Sequence, residues 1–197
     1  MARIDRVVLC GTNGAGKTDI SRAWAHLLNG VPLSFADPIR SEAAYGLAIN
    51  EFHATDVFEI KNRIEDLVYK MQDPETKDEY RGLLQEIGKL RTRQDPEYWL
   101  KRFKNRFEPL RLTNTPLSCG DCRLDNQMEL LKEWGFTFVR LEDGPYVRDQ
   151  GDRQNDETEH YWPNWEYDFV LDFQEGIEHQ ARRLVEEFGL NGNATRN

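Results

Sequence analysis

Cysteine is scarce in this chain, three residues in 197, and the count is odd. That excludes a disulfide-stapled scaffold, which needs paired cysteines at high density, and makes reduced thiols the expectation. Cys119 and Cys122 do have CxxC spacing, but no second pair and no nearby histidine completes a zinc set, so a strand-end coincidence is expected. Long apolar runs are missing as well. The longest are a handful of residues, far short of a membrane span, and the N-terminal stretch lacks the apolar core of a signal peptide. No membrane partner and a cytoplasmic location follow as expectations. Positive charge is also short: 26 Lys and Arg stand against 35 Asp and Glu, a formal net charge of -9. Such a field repels a phosphate backbone, so a polymeric nucleic acid is not expected as a partner. Small phosphorylated ligands remain open, because a local ring of Arg and Lys can bind them whatever the sign of the whole surface.

What is present is the balance of a globular protein, 39% apolar and 31% charged, in a chain long enough to bury a core without a metal or disulfide. Arg6 to Cys10 is a short apolar run that ends at a glycine-rich loop and reads as a buried parallel strand. From Lys17 the spacing of Ile20, Ala23, Trp24, Leu27 and Leu28 is helical, and Asn29-Gly30 stops it. Val31 to Ala36 reads as a second strand. Asp37-Pro38 opens a helix, with Asp as cap and Pro in the first position. Residues 55–107 read as a charged helical insertion in three segments. Val57, Ile60, Ile64, Leu67 and Val68 mark the apolar face of the first, and Leu83, Leu84, Ile87 and Leu90 that of the second. The third follows Asp95-Pro96 and carries Trp99, Leu100, Phe103 and Phe107. Strands are expected at Pro116–Cys119, Phe136–Leu141 and Tyr167–Phe173, and helices at Gln127–Trp134 and Glu175–Phe188. Gly144 to Trp165, polar and aperiodic, reads as a surface loop. The expected fold is α/β, and the loop Gly11-Thr-Asn-Gly-Ala-Gly-Lys-Thr18 between strand and helix makes it a P-loop NTPase fold with a parallel sheet flanked by helices. Its core is residues 1–54 and 108–197, with the insertion at about 55–107 and a lid at about 144–165.

Gly11-Thr-Asn-Gly-Ala-Gly-Lys-Thr18 has the P-loop pattern in the strand–loop–helix context that the pattern requires. Its glycines, Gly11, Gly14 and Gly16, let backbone N–H groups turn inward around phosphates; Asn13 and Ala15 complete the loop. Lys17 brings an ammonium to the β- and γ-phosphate oxygens, and Thr18 a hydroxyl for Mg²⁺. ATP and Mg²⁺ are the expected cofactors. A kinase also needs an acceptor site, with a carboxylate near the attacking oxygen and arginines on the acceptor's charge. Asp37 and Arg40, at the end of the second strand and so expected beside the first, are candidates; helix cap and surface charge is the competing reading. Arg81 and Gln85 share a helix face, and Arg93 lies near them; Gln85 and Arg93 are read as functional, Arg91 as surface. Asp121, at a strand end, can hold Mg²⁺ through water or contact the acceptor together with Arg123. Arg148 and Arg153 are the cationic lid candidates, Arg148 to stabilise charge on the transferring group. Trp99 can stack on a base or belong to the core.

With these residues in view, the chain resembles the phage-type deoxynucleoside monophosphate kinases, a branch of the P-loop nucleoside monophosphate kinases. The likeness rests on the P-loop, on Ser34-Phe35-Ala36-Asp37-Pro38-Ile39-Arg40, on Arg81-x-Leu-Leu-Gln85 leading through Gly88 to Arg93, on Asp95-Pro96-x-x-Trp99, and on Asp121-x-Arg123-x-x-Asn126. A weaker echo is Asp156-x-Thr158-Glu159. The resemblance implies transfer of the γ-phosphoryl group of ATP to a deoxynucleoside 5′-monophosphate. Ser34, Asp37, Arg40, Arg81, Gln85, Arg93, Trp99, Asp121, Arg123 and Glu159 would then face the acceptor, with catalysis carried by Lys17, Asp37, Arg93, Asp121 and Arg148. It also implies nucleotides as partners, and host-cell cytoplasm if the chain is phage-encoded; the sequence leaves the oligomeric state open, a homodimer being one assembly to look for. Gln127 stands where the family often has Glu, and Lys89 where it often has Thr. Another small-molecule kinase of this fold, acting on dephospho-coenzyme A or a nucleoside, and a non-transferring ATP-binding switch are the alternatives.

Overall fold

The computed structural model describes residues 5–12, 14–51, 57–73, 75–142, 162–172 and 176–187. Within them the chain is α/β and divides into two compact units, residues 1–34 with 108–197, and residues 35–107.

The first unit is built on a five-stranded sheet. Its strands are β1 (Arg6–Cys10), β2 (Val31–Leu33), β3 (Leu117–Cys119), β4 (Thr137–Leu141) and β5 (Phe169–Leu171), in the order β2-β3-β1-β4-β5, all parallel. Parallel strands need crossovers, and the helices α1 (Lys17–Leu27), α6 (Asp125–Glu133) and α7 (Ile177–Glu187) flank the sheet. The expectation that β2 lies beside β1 is corrected here: β3 sits between them, in register with both (Val8 and Leu33 each oppose Cys119). Residues 11–30 leave β1 toward β2 while residues 120–136 leave β3 toward β4, so the two connections run in opposite directions along the sheet. Right-handed crossovers then place α1 and α6 on opposite faces. The crevice outside the carboxyl ends of β1 and β3 is therefore the topological switch point, where ligands of such sheets bind.

Alternation along the strands divides the core accordingly. Val7 and Leu9 of β1, Val139 and Leu141 of β4 and Leu171 of β5 pack with Ile20 and Trp24 of α1 and Ala181 and Leu184 of α7, all buried. Strands β2 and β5 are shorter than their sequence segments promised. Ser34 leaves the sheet for a side-chain contact, and Asp168 carries its carboxylate to the Phe138 N–H (2.8 Å).

The second unit is helical: α2 (Asp37–Glu51), α3 (Val57–Lys70), α4 (Lys77–Gln94) and the greater part of α5 (Tyr98–Arg111). It begins at residue 35 rather than 55, because Ala43, Ala44 and Ala48 of α2 form its core with Leu67 and Met71. The three alanines let α3 approach closely, and Ile64, Val68, Leu84 and Ile87 close over the contact. Val57, read as part of the buried face, is 80% exposed, and Leu83 and Leu90 also face outward. Aromatic packing anchors α5: Phe35 stacks on Phe103 at 3.9 Å, and Phe103 meets Phe107 at 4.8 Å. Among the described residues no helix is long and apolar enough to cross a membrane.

Candidate functional site

The loop after β1 combines left-handed glycines with a buried lysine. Gly14 (φ 87°) and Gly16 (φ 77°) adopt a conformation that side chains disfavour. Gly11 (φ 148°) lies so close to β4 that a Cβ would meet the Leu141 carbonyl oxygen at 2.8 Å. Gly16 begins α1 in the left-handed conformation and without a hydrogen bond from a capping side chain. Lys17 is 9% exposed, and its Nζ donates to the carbonyls of Gly11 and Thr12, each at 2.6 Å. The ammonium is thus fixed over the loop, and the Thr18 side chain is exposed beside it. Asn13 lies outside the described residues.

The end of β3 is brought against this loop. A Cβ on Gly120 would meet the Lys17 carbonyl oxygen and the Thr18 Cα, both at 2.8 Å, so only glycine allows the approach. Asp121 follows at once. Its Oδ2 accepts from Ser34 Oγ at 2.5 Å, and its Oδ1 from the Cys119 thiol at 3.4 Å, which fixes the carboxylate between the ends of β2 and β3. Gln127, to which the sequence assigned no role, holds the following turn: its Oε1 accepts from the backbone N–H groups of Arg123 (2.9 Å) and Leu124 (3.3 Å). This is the returning half of a capping box at α6. The buried Trp165 adds a further tie, donating from Nε1 to Asp125 Oδ1 at 2.7 Å.

Beneath the loop the three thiols are buried and free. Burial pushes Cys10 up to about 12, and the Lys17 charge and the Tyr167 hydroxyl draw it only part of the way back. Burial also raises Cys119 and Cys122, with the Asp121 charge adding to the shift of each. All three are neutral thiols at ordinary pH. Among the described residues no group of three or more His, Cys, Asp or Glu side chains is gathered to hold a metal. Mg²⁺ asks for less from a protein, one or two oxygen ligands plus phosphate and water, and the Thr18 hydroxyl and the Asp121 carboxylate are each donors of that kind.

In the helical unit, Asp37 is the first residue of α2, but the Ala36 carbonyl already accepts from the Arg40 N–H, so Ala36 is the cap and Pro38 stands in the second helical position. The Asp37 Oδ1 instead accepts from Arg40 (2.9 Å) and Gln72 (3.5 Å) in a largely buried ion pair. Arg91 and Arg93, two apart and so on opposite sides of α4, have different surroundings. Arg91 donates to Glu42 at 2.6 Å and lies over the Tyr98 ring, which itself donates to Glu42 at 2.8 Å. Arg93 and Gln85 are exposed. Arg81 is exposed and pairs with Asp78 at 2.6 Å, while the Trp99 indole N–H donates to the Gly88 carbonyl at 3.1 Å and so belongs to the packing of α5 on α4. Arg148, Arg153 and Glu159 lie outside the described residues; of the expected lid, the 3-10 turn Trp162–Asn164 and Trp165 are described.

Thus Lys17, Thr18, Ser34, Asp121 and the Arg123 backbone gather at the carboxyl ends of β1, β2 and β3, while Asp37 and Arg40 pair with each other in the second unit. A cleft of about 560 Å³ lined by Arg22, Ala23, His26, Leu27, Glu178 and Arg182 contains none of the candidates and opens near the far end of α1. A scan against protein-family models finds none that matches this chain, and a search of curated protein sequences finds no significant match.

Proposed function

We propose that the chain has a P-loop fold and is an ATP-dependent deoxynucleoside monophosphate kinase, with residues 11–18 as its phosphate-binding loop. The observation that carries this reading is the contact of Gly120 with the backbone of Lys17 and Thr18. It brings the end of β3, where Asp121 follows, against a lysine-bearing glycine loop at the switch point of a parallel sheet, and that supports a reading of phosphoryl transfer. A glycine turn serving only to connect strand and helix would need neither a buried lysine nor a second strand end against it.

In this reading the acceptor's phosphate oxygen forms a bond to the γ-phosphorus of ATP as the bond to the β,γ-bridging oxygen breaks, and ADP leaves. The N–H groups of the loop and the start of α1 hold the donor phosphates, and Lys17 takes up charge that develops on the β- and γ-oxygens. Mg²⁺, when bound through Thr18 and Asp121, supplies further neutralisation of that charge. Asp121 orients the acceptor side with Arg123 as a proposed partner of its phosphate, and for Asp37 and Arg93 the roles proposed are those that the resemblance implies. Ser34 serves through Asp121 rather than through the acceptor. Catalysis is mainly positioning and charge stabilisation.

The test is ADP release from ATP, coupled to a detector, across a panel of deoxynucleoside and ribonucleoside monophosphates, nucleosides and dephospho-coenzyme A. Stimulation by one or more deoxynucleoside monophosphates is expected. Stimulation by another acceptor alone would assign a different small-molecule kinase, and ATP binding with no stimulated turnover would assign a non-transferring module.

A further inference from the structure

Between α1 and β3 lies a polar contact that the proposed chemistry does not use directly. Ser21 and Ser118 are both buried, at 2% and 0% exposure. The Ser21 hydroxyl donates to Ser118 Oγ at 2.9 Å, and the Ser118 hydroxyl donates to the Ser21 backbone carbonyl at 2.8 Å. Each proton is used once, so the pair is closed and satisfied. Ser21 is four residues after Lys17 and shares its face of α1. Ser118 opposes Val7, which places it on the α1 side of the sheet, and it stands two residues before Gly120 and three before Asp121.

The geometry points to Ser21 and Ser118 as positioning residues, a hydroxyl clasp that sets the separation of Lys17 and Thr18 from Asp121. This inference rests on the proposed phosphoryl transfer and deepens it. An apolar contact here would hold α1 against the sheet but would let the helix slide along its axis, because packing of methyl groups is not directional. Two hydrogen bonds of fixed direction remove that freedom. The clasp sits one helical turn from Lys17 on one side and two residues from the Gly120 contact on the other, so any slip of α1 along β3 moves the lysine and the Thr18 hydroxyl relative to the carboxylate.

The test compares wild type with Ser21→Ala, Ser118→Ala and the double variant, measuring Tm, kcat and KM for ATP with a mixture of the four common deoxynucleoside monophosphates, and ATP affinity by calorimetry with Mg²⁺ and with EDTA. Ser118→Ala leaves the buried Ser21 hydroxyl without its acceptor and lowers Tm most, while in Ser21→Ala the Ser118 hydroxyl still donates to the Ser21 carbonyl. The double variant removes the stranded hydroxyl, so its Tm returns part of the way from that of Ser118→Ala toward wild type. Positioning predicts that kcat does not return with it: all three variants lose about tenfold or more in kcat, with KM for ATP within about threefold of wild type. The gain in ATP affinity from Mg²⁺ also shrinks in the double variant. Recovery of kcat in step with Tm would show a merely structural pair and overturn the inference while leaving the kinase reading intact. Should wild type transfer phosphate to none of the acceptors, the kinase reading falls; the clasp then stands or falls on the Mg²⁺ dependence of ATP binding, and an unchanged dependence overturns it.

Discussion

Replacing Gly120 with Ala perturbs a backbone contact that joins the β3 end to the start of α1. The added Cβ would stand 2.8 Å from the Lys17 carbonyl oxygen and from the Thr18 Cα, and 2.9 Å from the Lys17 carbonyl carbon. All three are backbone atoms, so no side chain can swing aside. Relief to an ordinary carbon contact of about 3.5 Å requires the first turn of α1 and the β3 end to separate by roughly 0.7 Å. Overpacking of this kind costs about 1–3 kcal/mol, which for a chain of this length lowers Tm by about 2–12 °C. A displacement approaching an ångström at reacting groups costs up to about 10²-fold in rate, so kcat for dNMP-dependent ADP release should fall by about 10–100-fold. Gly30→Ala is the matched control. Its Cβ would run into the Pro116 carbonyl, again backbone, but beyond the C-terminal end of α1 and away from Lys17. It should lower Tm comparably and leave kcat within about twofold of wild type when both are assayed well below Tm. Equal kcat for the two variants, or a Gly120→Ala protein as active as wild type, would refute the claim that this contact positions the site.

Gly46, exposed in the interior of α2 with nothing beyond its own stretch of helix within 4 Å of the place a Cβ would take, should accept Ala with a gain of about 0.5–1 kcal/mol; denaturant titration of Gly46→Ala checks it. Gln127→Ala removes the acceptor of two backbone N–H groups at α6 and should cost about 0.5–2 kcal/mol, and an unchanged denaturation midpoint would contradict the capping role. Cys10 is held protonated in the fold, its value raised from 9.0 to about 12 by burial. The unfolded chain therefore loses that proton first: the contribution is whole below pH 9 and is lost as pH climbs toward 12, with a slope of about 1.4 kcal/mol per pH unit for this group. Cys119 and Cys122 act in the same direction, and Cys10→Ala should flatten the fall in stability measured between pH 9 and 11.

Some of this architecture is legible in the sequence, and the reasons differ by element. β1 is read at its true bounds because a buried parallel strand is apolar on both faces, and Val7, Val8 and Leu9 make a continuous run. α1 is marked at both ends, by the loop glycines and by Asn29-Gly30. The order of strands is not legible: nothing in residues 31–36 says that a strand 80 residues later will insert between β2 and β1, since that depends on long-range pairing. Val57, Leu83 and Leu90 fit the helical period yet face outward, because the alanines of α2 and the side chains of Leu67 and Met71 already fill that core. At the site, Lys17, Thr18 and Asp121 carry chemical signals in their motif and strand-end position. Ser21, Ser118 and Gly120 carry almost none. A serine four residues after the lysine and a glycine after a three-residue strand are ordinary until the fold makes them neighbours. Asp37 and Arg40 pair with each other in the fold, as their spacing of three on one helix allows.

The central claim is that the Gly11–Thr18 loop presents the donor phosphate for transfer to a nucleoside monophosphate. The most direct measurement follows label from γ-labelled ATP into product, separated by chromatography, for wild type and Lys17→Ala with each deoxynucleoside monophosphate in turn. The account predicts labelled deoxynucleoside diphosphate with at least one acceptor from wild type, and none above background from folded Lys17→Ala assayed well below its Tm. Label that stays in ATP or appears only as inorganic phosphate in wild type, or labelled diphosphate formed undiminished by Lys17→Ala, would contradict it.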